Sequence, residues 1–145
     1  MNMSAPDILL VEDSQSDIEL FMFAHQRNKS TAVIRIVRDG VEALDLLLGN
    51  ENRTEDVLAI LPRLVLLDLN MPRLTGFDVL ERLRTDERTR RLPIVIFSSS
   101  DQSADKLEAH RLGANDYVRK PAQFKDLCAI LAQFEHDWLS VDVAS

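Results

Sequence analysis

The chain has 145 residues, 46% of them hydrophobic and 28% charged, with a net charge of −7. That length fits one domain able to bury on the order of 70% of its extended-chain surface. The acidic balance argues against nucleic-acid binding, which needs a basic face to displace counterions from phosphates. No apolar run reaches membrane-spanning length, because Pro62 and Arg63 interrupt VLAILPRLVLLDL.

The opening MNMSAPD lacks a basic residue and runs directly into an apolar segment, the wrong layout for a secretory signal, so a cytoplasmic location is expected. Residues Ile8 to Val11 are uniformly apolar and predict a buried strand closed by Glu12 and Asp13. From Ser14 to Asn28, Ile18, Phe21 and Met22 recur at helical spacing, with Ser14 and Ser16 placed to cap the helix. Ala32 to Val37 alternates β-branched residues with Arg35 and predicts a second strand. A turn at Asp39-Gly40 then leads into the helical pattern VEALDLLL.

The polar stretch GNENRTED, Gly49 to Asp56, predicts a loop before the third strand. Leu64 to Asp68 is the second apolar run ending in an acid. After it, Pro72 breaks the chain, Thr75 can cap a helix, and Phe77, Leu80 and Leu83 form that helix's apolar face. Pro93 precedes the strand IVIF. A helix over SADKLEAHRL stops at Gly113, the short strand DYV follows, and a last helix runs from about Gln123 to Leu139.

On that helix Leu127, Leu131 and Phe134 form a core stripe, with Trp138 near its end. Cys128 lies in an apolar run and reads as a buried, inert thiol. His25, His110 and His136 fall on separate helices without metal-ligand spacing and read as surface residues. Five strands alternating with five helices predict an α/β, three-layer, doubly wound (βα)5 parallel sheet, a single domain over residues 5–140 with no output domain.

In such sheets ligands sit outside the carboxyl ends of the strands. Glu12 and Asp13 end the first strand, Asp68 the third, Ser98 the fourth, and Lys120 lies just past the fifth. At an effective dielectric near 20, two charges about 4.5 Å apart repel by roughly 4 kcal/mol, so the acids call for a hard divalent cation. Mg²⁺ prefers a few carboxylates plus water and phosphate oxygens, which Asp13, Asp68 and an outer Glu12 can supply. Three acids, Mg²⁺ and Lys120 sum to zero charge, and Asp68 is placed to attack an activated phosphorus while Ser98 donates to a phosphoryl oxygen.

The segments ILLVEDS, LVLLDLNMPRLTG, PIVIFSSSD and GANDYVRKPA, in that order and over nearly the whole chain, resemble the receiver domains of two-component response regulators. The resemblance implies a flavodoxin-like sheet of strand order 2-1-3-4-5. It implies that Asp68 takes phosphate from a histidine kinase's phosphohistidine, with Mg²⁺ held by Asp13, Asp68 and the carbonyl of Asn70, and Glu12 acting through water. Ser98, Ser99 and Lys120 would bind the phosphoryl group, Tyr117 would change rotamer as the readout, and Pro121 would form a rigid turn after a cis peptide bond.

Departures from the common pattern are Glu12 and Ser98, which keep the chemistry where Asp and Thr are frequent, and Thr75, which stands where Asp is usual but still caps. Asn70 and Ser100 occupy positions where relatives tune acyl-phosphate hydrolysis. A haloacid-dehalogenase-like phosphatase is the competing enzyme reading. That class needs a second Asp two residues after its nucleophile, and Asn70 stands there. Other readings are a relay intermediate passing phosphate to a histidine phosphotransfer protein, and a binding module no longer phosphorylated. The long second-to-third connection and LLLGN…LPRLVLLDLNMPRLTG further resemble stand-alone regulators paired with bacterial phytochrome kinases. That implies a phytochrome-type donor and a homodimer through the last strand and helix.

Overall fold

A computed structural model describes residues 5–49 and 61–139. Among them, strands β1 (Ile8–Val11), β2 (Ile34–Val37), β3 (Leu64–Leu67), β4 (Ile94–Ser98) and β5 (Asp116–Arg119) alternate with helices α1 (Gln15–Arg27), α2 (Gly40–Leu48), α3 (Gly76–Thr85), α4 (Ser103–Arg111) and α5 (Phe124–Trp138). All strand pairs are parallel and the sheet order is β2-β1-β3-β4-β5, as expected.

Every residue of β1, β3 and β4 is buried, because helices cover both faces of the sheet. Alternate residues point to opposite faces. Leu9, Val11, Val65, Leu67, Ile94 and Ile96 pack with α2 and α3, while Ile8, Leu10, Leu64, Leu66, Val95 and Phe97 pack with α1 and α5. Phe97 meets Phe134 of α5 edge to face, with ring centroids 5.4 Å apart.

Local sequence accounts for the helix starts. Ser14 caps α1 by accepting from the Asp17 amide, and Thr75 forms a reciprocal capping box with Asp78 at α3. Asp39 is the N-cap of α2 and Gly40 is already helical, so the expected Asp39-Gly40 turn is a helix start. The second carboxylate oxygen of Asp39 accepts from Arg73 at 2.6 Å, tying α2 to the β3–α3 loop. Gly76 opens α3 pressed against the chain after β3: a methyl group there would lie 2.3 Å from the Asp68 carbonyl oxygen.

Helix α4 is held differently. Ala109 is its sole buried residue, Leu107 is 71% exposed, and no side chain caps its start. Its far end runs into Gly113, whose φ of +100° suits glycine. There Arg84 of α3 donates to the carbonyls of Gly113 and Thr89 and to the side chain of Asn115.

Several expectations need correction. Val79 joins Leu80 and Leu83 in the α3 core, while Phe77 is half-buried. On α5, Leu131 and Phe134 are buried but Leu127 and Trp138 only partly so, and Cys128 is half-buried. His110 and His136 are exposed, whereas His25 is half-buried with Nδ1 enclosed and lacking a hydrogen-bond partner. The Lys120–Pro121 bond is trans, not cis, consistent with the general trans preference of about 0.5–1 kcal/mol for such bonds. Of the expected loop at Gly49 to Asp56, all but Gly49 lies outside the described residues.

Candidate functional site

β1 and β3 are adjacent, with Val11 paired to Leu67, so the residues that follow them emerge side by side. Glu12 and Asp68 are 2% and 5% exposed, and Asp13 is half-buried. Each of the three offers an oxygen within 4.8 Å of the others'. Lys120 follows β5 yet reaches back across β4 and β3, placing Nζ 2.6 Å from Glu12, 2.8 Å from Asp17 and 3.8 Å from Asp68 Oδ1. That Asp68 oxygen is buried without a hydrogen-bond partner, while the nearby amides of Asn70 and Leu69 and the Glu12 side chain favour the charged carboxylate.

Acids outnumber the cation here. Burial, more than offsetting the Lys120 hydrogen bond and reinforced by the charge of Asp68, raises the Glu12 carboxyl to about 7. Burial also raises Asp68 against the opposing charge of Lys120. Burial pulls Lys120 down, but hydrogen bonds to Asp17 and Glu12 outweigh it and leave the ammonium favoured. The cluster therefore holds surplus negative charge that a proton or a metal ion can neutralise.

A stability consequence follows for the metal-free chain. The folded Glu12 carboxyl binds its proton more tightly than the unfolded one, so the contribution is full below the ordinary value of 4.5 and is lost as pH rises through about 7. Urea unfolding in chelator is expected to show stability falling between pH 5 and 8, with up to about 3 kcal/mol of the fall from Glu12. Glu12→Gln should flatten that slope; an unchanged slope would assign it elsewhere.

The other expected residues are placed as follows. Ser98 ends β4 fully buried, its Oγ accepting from the Ser100 amide at 3.3 Å and its carbonyl from the Lys120 amide at 2.8 Å. Ser99 and Asn70 are exposed. Tyr117 is half-buried on β5 and donates its hydroxyl to the Ser100 carbonyl at 2.9 Å. The Ser100 hydroxyl in turn donates to Asp105 in the first turn of α4.

Sequence reasoning missed Asp17. An acid in the first turn of a helix ordinarily reads as a partner for the helix dipole, and only the fold brings Lys120 to it. The spacing from Glu12 to Asp17, one helical turn past the strand end, was the available signal.

The response regulator receiver domain model matches residues 8–132. The chain belongs to that family. As a receiver it is a phosphorylation-dependent signalling module rather than a classical enzyme, and the phosphatase reading has no support. The probable methanogenesis regulatory protein FilR2 of Methanothrix harundinacea is 37% identical over 91% of this chain and 83% of its own length. The phosphorylated cyanobacterial phytochrome response regulator RcpA aligns with a TM-score of 0.81 at 35% identity, covering 94% of this receiver and 96% of that chain. The Mn²⁺-bound form of response regulator Rcp1 aligns with a TM-score of 0.77 at 31% identity, over 94% and 96% of the two chains. Rcp1 of Synechocystis is also 32% identical in sequence over 91% of the receiver and 88% of its own length. Among the described residues no helix is long and apolar enough to cross a membrane.

Proposed function

We propose that Asp68 is the phosphoacceptor of this receiver, taking a phosphoryl group from the phosphohistidine of a sensor kinase. The observation that carries this is the Asp68 oxygen itself: buried, without a hydrogen-bond partner, beside two further acids and within 3.8 Å of an ammonium. An Asp68 oxygen forms the new P–O bond as the P–N bond breaks, and the electron pair leaves on the histidine nitrogen. The three acids suit a hard divalent ion: Asp13, Asp68 and the Asn70 carbonyl would hold Mg²⁺ directly and Glu12 through water. Bound there, Mg²⁺ would supply charge neutralisation for the transferring group.

Lys120 then pairs with the phosphoryl group and Ser98 and Ser99 donate to it. Tyr117 reads the change by giving up its bond to the Ser100 carbonyl, and Pro121 shapes the turn that presents Lys120. Residues 5–140 act as one receiver unit. The likeness to the phytochrome response regulator RcpA supports a phytochrome-type kinase as donor; a homodimer through β5 and α5 is the output this reading proposes. The acidic surface favours protein partners over nucleic acid.

Incubation with acetyl phosphate and Mg²⁺ tests the acceptor: one phosphoryl mass should be gained, mapping to Asp68, and labelling elsewhere would overturn the assignment. Metal binding has a separate test. Mg²⁺ at ten times its dissociation constant should stabilise the chain by about 1.4 kcal/mol, visible as a raised Tm. Superimposable melting curves with and without millimolar Mg²⁺ would count against the metal centre.

A further inference from the structure

The Lys120 ammonium has three N–H donors and makes two short contacts, to Glu12 Oε1 at 2.6 Å and Asp17 Oδ2 at 2.8 Å. Neither partner is the phosphoacceptor. Asp68 Oδ1 lies beyond hydrogen-bond reach at 3.8 Å and is left without a partner although it is buried. The cation that a phosphoryl group on Asp68 would need is thus already engaged, and one of its two holders comes from helix α1 rather than from the tips of the sheet.

The two holders differ. The Glu12 side chain is 3% exposed, so withdrawing the ammonium from it would strand a buried carboxylate. The Asp17 side chain is 40% exposed and can return to water when its partner leaves. The Asp17 contact is therefore the one that yields at low cost. From this juxtaposition we propose that Asp17 is a positioning residue that holds Lys120 back from Asp68 in the unphosphorylated protein, and that phosphorylation draws the ammonium off Asp17. This rests on Asp68 being the acceptor.

On this account Asp17 sets the balance between the two states without touching the reacting atoms. Its loss leaves the ammonium freer to meet the phosphoryl group and favours the phosphorylated form. The helix should survive, because Asn keeps the backbone amide that Ser14 caps. Glu19, also on α1, is exposed and bonds only to Gln15 among the contacts described, so it serves as a charge control.

The experiment is calorimetric titration of the full chain with beryllofluoride at fixed Mg²⁺, for wild type, Asp17→Asn, Asp17→Glu and Glu19→Gln, alongside thermal melting. Asp17→Asn should bind the mimic roughly three- to fivefold more tightly, the scale of a half-exposed ion pair. Asp17→Glu, which keeps the carboxylate, and Glu19→Gln should match wild type in binding and melting, while Asp17→Asn should melt slightly lower, because the ion pair it loses belongs to the unphosphorylated fold. Equal or weaker binding by Asp17→Asn would overturn the proposal, as would an equal gain in Glu19→Gln, which would reduce the effect to net charge. Failure of wild type itself to bind beryllofluoride would remove the acceptor assignment, and this inference with it.

Discussion

Asp68→Asn is expected to lower labelling by acetyl phosphate and Mg²⁺ at least a hundredfold, to background. An amide cannot supply the oxygen nucleophile, and no neighbouring acid substitutes for it. Glu12 is buried and engaged by Lys120, and Asp17 shares that ammonium. The same change removes one charge from a cluster in which burial already raises the acid, so the metal-free variant should melt no lower than wild type. Intact-mass spectrometry and a melting curve in chelator check both halves. Undiminished labelling of a folded variant would place the acceptor elsewhere.

Gly76→Ala is expected to be the most damaging single methyl group in the molecule's active region. Its Cβ would stand 2.3 Å from the Asp68 carbonyl oxygen and 2.9 Å from the Leu69 Cα, both backbone atoms that no rotamer change can move aside. Relief requires shifting α3 or the strand exit, and the Gly76 amide already donates to the Leu69 carbonyl at 3.0 Å. Overpacking of this kind costs about 2–3 kcal/mol. Because the displaced peptide belongs to Asp68, labelling by acetyl phosphate should also fall roughly tenfold or more, through loss of alignment. Urea unfolding and a labelling time course measure the two effects. A variant within experimental error of wild type in both would mean that the loop yields freely.

The sheet was readable because β1 and β3 are apolar at every position and β4 at all but Ser98, and Glu12, Asp13 and Asp68 mark where two of them stop, whereas its strand order came with the family resemblance. The edge strands were less so: β2 begins at Ile34, two residues after the alternating pattern starts at Ala32. Helix faces followed periodicity except where half-buried aromatics intervened, as at Phe77. The acids and Lys120 were predicted as a group because each sits at a strand end. Asp17 was not, because its role depends on a lysine more than a hundred positions away folding back across two strands. Local signals carry no record of such a meeting.

Helix α4 is fastened at both ends by polar contacts and by little packing. The Arg84 bonds clamp the turn at Gly113, while the opposite end begins without a side-chain cap and the helix buries Ala109 alone. Swinging it outward would uncover almost no apolar surface, so the free-energy penalty for motion is smaller there than for any other helix described. Ser100, between the end of β4 and that uncapped start, bonds to both Tyr117 and Asp105. The arrangement is a lever: a pivot at Gly113, an arm at Ser103 held by polar contacts rather than packing, and a short linkage through which a change beside Ser98 acquires mechanical advantage.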